Sequence, residues 1–153
     1  MTEAKLPLLI RPLQVADAAG WHRLWTAYLA FYNTVLPEAV FESSFARMLG
    51  DDPQDFHGLV AERDGQLVGL AHYVFHRHGW QTANVCYLQD LYADPAVRGI
   101  GVGRALVEAV YAAADAAGAP RVYWNTQEDN TTARQLYDRL ATLTPFVKYT
   151  RFP

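Results

Sequence analysis

Residues 88–104 read Leu-Gln-Asp-Leu-Tyr-Ala-Asp-Pro-Ala-Val-Arg-Gly-Ile-Gly-Val-Gly-Arg. The beginning belongs to a β-rich run, Val85 to Tyr92, which Ala93-Asp94-Pro95 ends. The end opens the clearest helix of the chain, Gly101 to Ala117. Val102, Ala105, Leu106, Ala109, Val110, Ala113 and Ala117 make its apolar face, and Arg104, Glu108, Tyr111 and Asp115 its polar one. Between strand and helix stand Gly99, Gly101 and Gly103. Glycines let successive backbone N–H groups point into one concave space, and a helix start adds unpaired donors and a positive dipole end. Such a turn is an anion site, best suited to phosphate. The dinucleotide fingerprint fails, because its third glycine would fall at Arg104 or Leu106, and no Gly-Lys-Ser/Thr run offers a P-loop. The pattern present is Arg-x-x-Gly-x-Gly, Arg98 to Gly103.

Outward from this segment, the chain alternates short elements. Leu8 to Leu13 reads as a strand. Trp21, Leu24, Trp25, Tyr28, Leu29 and Tyr32 recur at helical spacing, with Asp17 placed as the cap. Pro37 suits the first turn of a second helix bearing Phe41, Phe45, Met48 and Leu49. His57 to Arg63 and Gln66 to His78 read as a hairpin about Asp64-Gly65. Val122 to Thr126 is β-rich, a helix follows from about Asn130, and Phe146 to Phe152 reads as a last strand. The order β-α-α-β-β-β-α-β-α-β predicts an α/β fold: a mixed sheet with helices on both faces.

The 153 residues fit one domain, residues 1–153, and 51% hydrophobic content with 19% charged excludes a disordered chain. A net charge of −3 without a basic cluster argues against nucleic acid as partner. No apolar run reaches the ~18 residues of a membrane span. A lone cysteine, Cys86, excludes a disulfide framework and any multi-cysteine metal site. A protein of the cytoplasm, with no membrane partner, is the expectation. His72, His76 and His78 stand on one strand face, but no carboxylate completes a ligand set. No metal is expected, and the strand end reads as solvated or substrate-facing.

The loop Arg98 to Gly103 resembles the acetyl-CoA pyrophosphate loop of the GCN5-related N-acetyltransferases. The Leu-Gln-Asp-Leu-Tyr strand before it and Asn130-x-x-Ala133-x-x-x-Tyr137 after it resemble the same family. The detailed likeness covers Leu88 to Tyr137. It implies acetyl-CoA as acyl donor and direct transfer to an amine. It implies that Arg98, Gly99, Ile100, Gly101, Val102, Gly103 and Arg104 hold the pyrophosphate. Leu91, Tyr92 and Ala93 would pair through their main chain with the pantetheine arm, and Asn130 and Ala133 would contact the cofactor. Tyr137 would protonate the departing thiolate. The chemistry agrees: an amine attacking a thioester needs alignment, loss of a proton and a weak acid for the thiolate, with no covalent enzyme intermediate.

Family members that act on polyamines carry a Glu where this chain has Gln89, which cannot accept a proton. Asp90 is the candidate base or substrate carboxylate, placed by strand alternation with Leu88 and Tyr92. A partner for a backbone or Arg group is its structural alternative, and a water relay from Glu128 is another route. Tyr28 and Tyr32, with Gln89, are candidates for the acceptor wall. Asn130 is also a good helix cap and Tyr137 a plausible core tyrosine. The aromatic tail resembles a branch of small polyamine and histone-type acetyltransferases that pair through the last strand, which implies a homodimer. The expected function is acetyl transfer to the primary amine of a small cationic or amino-acid-like acceptor. The alternatives are a protein lysine acetyltransferase and an acyl-CoA-binding module without turnover.

Overall fold

The computed structural model describes residues 7–97 and 99–153. The strands are β1 (Leu9–Pro12), β2 (His57–Arg63), β3 (Gln66–His76), β4 (Val85–Ala93) and β5 (Val122–Tyr123). The helices are α1 (Ala18–Phe31), α2 (Glu38–Leu49), α3 (Val102–Ala116) and α4 (Thr131–Leu140). The sheet runs β1-β2-β3-β4-β5, antiparallel except for the parallel β4–β5 pair. The mixed sheet and the element order follow the sequence reading as far as α4.

Two apolar layers enclose the sheet. On one face α3 packs Val102, Leu106, Val107 and Val110 against Ala61, Ala71, Cys86 and Leu88. On the other, Trp21, Leu24 and Trp25 of α1 and Phe41 of α2 cover Val60, Leu67 and Leu70. Each such side chain, fully withdrawn from water, contributes roughly 1.5–3 kcal/mol relative to exposure. Tyr111 Oη donates to the Leu140 carbonyl at 2.8 Å and ties α4 to α3.

Two bulges break the alternation of the central strands. Ala61 pairs with Gly69 and Glu62 with Leu67, leaving Val68 as the extra residue. Tyr73 pairs with Leu88 and His72 with Asp90, leaving Gln89 as the extra residue of β4. The second bulge corrects a sequence expectation. Leu88 packs toward α3, whereas Asp90 meets His72 on the α1 side. One inserted residue shifts the two-residue period by one and sends the following side chains to the other face. Asp90 therefore shares a face with Tyr92 but not with Leu88.

Two further expectations are corrected. Asp17 does not cap α1. Its carboxylate accepts from both terminal guanidinium nitrogens of Arg11 at 2.8 Å and from the Gln14 N–H at 2.7 Å, a stronger set of donors than a helix end provides. The tail forms no strand: residues 141–153 lie exposed beyond α4. A strand needs an edge to pair with, and the tail lies against none in the single chain.

Candidate active site

The sheet splits between β4 and β5. Their pairing is limited to Cys86–Val122 and Tyr87–Tyr123. From Leu88 to Ala93, β4 pairs with β3 on its inner side, and no described strand lines its outer edge. Residues 91–93 thus lie where β4 has left β5, along an edge that an extended polar chain can join as a strand would.

This edge leads to the glycine turn. Gly99 and Gly101 both have φ of +80°, and open space surrounds the position of a side chain at each. Gly101 is the N-cap of α3, so no side chain occupies the donors of its first turn. Gly99 and Ile100 lead into Gly101, and the first helical bond of α3 runs from the Ala105 N–H to the Gly101 carbonyl, so the N–H groups of Val102, Gly103 and Arg104 have no acceptor within the helix. Arg98 lies outside the described residues. At Gly103 a β-carbon would stand 3.4 Å from Leu136 Cδ2, an ordinary contact, so α4 packs beside the first turn of α3.

Around Asp90 of β4 gather tyrosines of α1, with Tyr137 of α4 beyond them, all named from sequence. Asp90, buried, accepts a hydrogen bond from His72 Nδ1 at 2.8 Å, and its charge acts on the Tyr28 phenol. Tyr28 and Tyr32 stand ring to ring, centroids 5.2 Å apart, at the end of α1. Burial, then the Asp90 charge, holds the Tyr28 phenol far above its ordinary range. The same causes raise Tyr32. Tyr137 comes from α4, its ring 5.4 Å from that of Trp124. Burial foremost, and then Tyr32, pushes its phenol up to about 12. The Asp90 charge reaches Tyr28 and Tyr32, and both of these interact with Tyr137, although α1, β4 and α4 supply the residues separately. Gln89, the bulged residue, is exposed beside them. A buried carboxylate and a phenol kept protonated by burial offer a proton acceptor and a proton donor.

Asn130 is the N-cap of α4, but its side chain does not cap. It donates to Thr126 Oγ1 at 3.3 Å, so capping does not account for the residue. Ala133 follows one turn later, half-buried. Glu128 is exposed, and its carbonyl receives Arg134.

The histidines are neither a ligand set nor alike. His72 is buried, between Asp90 and Trp21 Nε1, which donates to its Nε2 at 2.9 Å. That corrects the reading of this face as solvated. His76 instead meets the Tyr123 hydroxyl at 2.8 Å at the exposed strand end. No metal-binding group occurs among the described residues. Sequence reasoning missed His72 and Trp21 as parts of the site. The available signal was a polar residue in the middle of an otherwise apolar central strand. Cys86 is buried, and burial pushes its thiol up to about 11, which makes it unreactive.

A family model, that of the acetyltransferase (GNAT) family, matches residues 21–141. The chain is 36% identical over 145 residues to the D-amino-acid N-acetyltransferase HPA3 of Saccharomyces cerevisiae, covering 94% of this chain and 90% of the yeast protein. Among solved structures, the aminoglycoside N-acetyltransferase AAC(6')-Iy in complex with CoA superposes with a TM-score of 0.84 at 19% identity, covering 99% of each chain. The ribosomal-protein-alanine N-acetyltransferase of Brucella melitensis biovar Abortus 2308 does so with a TM-score of 0.75 at 21% identity, covering 95% of this chain and 100% of that one. At these identities the two structures establish a shared fold.

Proposed function

Because the chain belongs to the acetyltransferase (GNAT) family and is an N-acetyltransferase that draws on acetyl-CoA, we propose that its acceptor is a small amino-acid-like amine, acetylated directly on its primary amino group. The observation that carries this reading is the meeting of Asp90, Tyr28, Tyr32 and Tyr137 beside the open edge of β4. The name of the yeast relative, a D-amino-acid N-acetyltransferase, supports the class of acceptor.

Acetyl-CoA supplies the thioester that the amine attacks. The N–H groups of Gly99 to Arg104, with Arg98, receive the pyrophosphate. The main chain of Leu91, Tyr92 and Ala93 aligns the pantetheine arm, and a backbone N–H there stabilises the developing oxyanion. Asn130 and Ala133 close the arm from α4. Asp90 accepts the proton that the ammonium must lose, since a free alkylamine holds it to a pKa of about 10.4. Tyr28, Tyr32 and Gln89 wall the acceptor. Tyr137 donates its proton to the departing thiolate.

One N-acetyltransferase domain spans residues 1–153 in this reading, and the enzyme works in the cytoplasm as a homodimer. The exposed tail supports the dimer: Phe146 is 81% exposed, Tyr149 93% and Phe152 86%. Such a segment is suited to pair with a second copy. No helix among the described residues is long and apolar enough to cross a membrane.

The experiment is release of free CoA thiol from acetyl-CoA against D- and L-amino acids, polyamines, aminoglycosides and a lysine-rich peptide. Release driven by amino acids is expected. Release driven by the peptide alone would make the enzyme a protein acetyltransferase. Acetyl-CoA binding without release by any amine would reduce it to a binding module.

A further inference from the structure

His72 is buried, and its two ring nitrogens have different partners. An indole N–H only donates, so Nε2, which receives Trp21 at 2.9 Å, is the nitrogen without hydrogen. The hydrogen of the neutral ring then sits on Nδ1, 2.8 Å from Asp90 Oδ2, and is donated to the carboxylate. Protonation of Nε2 would set two donors against each other in an apolar wall. Trp21 and Trp25 form that wall, their ring centroids 6.0 and 5.6 Å from the imidazole. His72 is thus a fixed neutral donor rather than an acid or a base.

We propose that His72 is a positioning residue of this site: fixed by Trp21 as the Nδ1–H tautomer, it holds the Asp90 carboxylate in place to accept the proton of the acceptor amine. The inference rests on the assignment of Asp90 as proton acceptor. A buried carboxylate with one fewer donor holds its proton more tightly and turns more freely. The titratable groups facing Asp90 are His72 from β3 and Tyr28 and Tyr32 from α1, with Tyr137 of α4 beyond the two tyrosines. The two near tyrosines stay protonated across the assay range. A shift in the acidic limb of the pH profile therefore reports Asp90 itself.

The test uses the full chain, acetyl-CoA and whichever D- or L-amino acid releases thiol fastest. His72→Phe is expected to lower kcat/KM for the amine by about ten- to hundredfold. It should move the acidic limb upward by about one pH unit while acetyl-CoA affinity stays the same. His72→Asn, whose amide nitrogen falls near Nδ1, should restore most of the loss. Trp21→Phe keeps the ring and removes the donor that selects the tautomer. It should show the same upward shift in weaker form, which keeps the test open if His72→Phe fails to fold. Independently, ¹⁵N NMR of the unliganded enzyme at the assay pH should find His72 as the neutral Nδ1–H tautomer. A proton on Nε2 of His72 under those conditions overturns the proposal. So does a folded His72→Phe with an unshifted profile while Asp90→Asn is inactive. An active Asp90→Asn removes instead the assignment of Asp90, and the role of His72 falls with it.

Discussion

Gly69 of β3 lies directly beneath Val102, the first residue of α3. A β-carbon on Gly69 would stand 2.7 Å from Val102 Cγ1 and 2.9 Å from the Tyr92 carbonyl oxygen. The absence of a side chain there lets the start of α3 settle onto the sheet beside the open part of β4. This contact brings together the strand edge and the helix N-terminus that we propose hold the acetyl-CoA arm and pyrophosphate. Gly69→Ala is therefore expected to cost about 1–3 kcal/mol in a denaturant titration. It should also weaken acetyl-CoA binding by calorimetry, because the helix start must move away. Unchanged stability and unchanged affinity would mean that the contact relaxes without consequence.

Gly101 presents a different constraint. Its neighbourhood is empty, so bulk is not the obstacle, but φ of +80° is. A β-branched residue there is costly in that region of backbone space. Gly101→Val should retain most of the fold and lose at least tenfold in acetyl-CoA affinity, as the first-turn N–H groups tilt away. Wild-type affinity would remove the glycine turn from the donor site.

Tyr137 carries a phenol pushed up to about 12 by its burial and by Tyr32. A raised pKa keeps the proton on the oxygen at every pH below that value. The wild-type kcat is then expected to show no alkaline fall below about pH 11 arising from this residue, as a general acid requires. Tyr137→Phe should reduce kcat by about 10²-fold or more and leave the acetyl-CoA Kd nearly unchanged. A mutant of full turnover would make Tyr137 a packing residue.

Asp17 and Arg11 tie β1 to the turn before α1. The Arg11 hydrogen bond foremost lowers the Asp17 carboxyl below its ordinary value, against its burial. Between that lowered value and the ordinary one, the unfolded chain binds the proton and the folded chain does not. The stabilisation is thus complete above about pH 4 and fades as pH falls through the folded-state value. Asp17→Asn should cost about 2–3 kcal/mol at pH 7. It should also make stability less dependent on pH in the acid range, measured by urea unfolding at several pH values. Equal acid sensitivity in mutant and wild type would place the effect elsewhere.

The tail offers a test of assembly. Residues 141–153 are exposed throughout, so their removal subtracts nothing from the two apolar layers of the single chain. Light scattering after size exclusion should find a dimer for the full chain and a monomer for the chain ended at Leu140. A monomeric full-length chain would leave the aromatic tail without that role.

How much of this was legible beforehand differs from element to element. The helix from Gly101 and the glycine turn were plain, because period and backbone conformation are local properties of residue type. The likeness of two motifs on either side of a helix singles out Leu91 to Ala93, Asn130 and Tyr137 as candidates. Gly103 looked like part of the same phosphate turn, yet Leu136 lies against it, a contact that only packing creates. Phe146 to Phe152 had the composition of a strand, and composition without a partner edge is not one.

By itself, the sequence determined the succession of strands and helices as far as α4, the apolar faces and the glycine turn between β4 and α3, since each depends on neighbours within a few positions. Only the tertiary structure decided where Asp90 points. The extra residue Gln89 is visible as a bulge only when β4 is laid in register on β3, and that register turns Asp90 away from Leu88 toward His72, Trp21 and Tyr28. Pairing across strands distant in sequence sets the face on which a side chain emerges, and alternation along one strand cannot anticipate it.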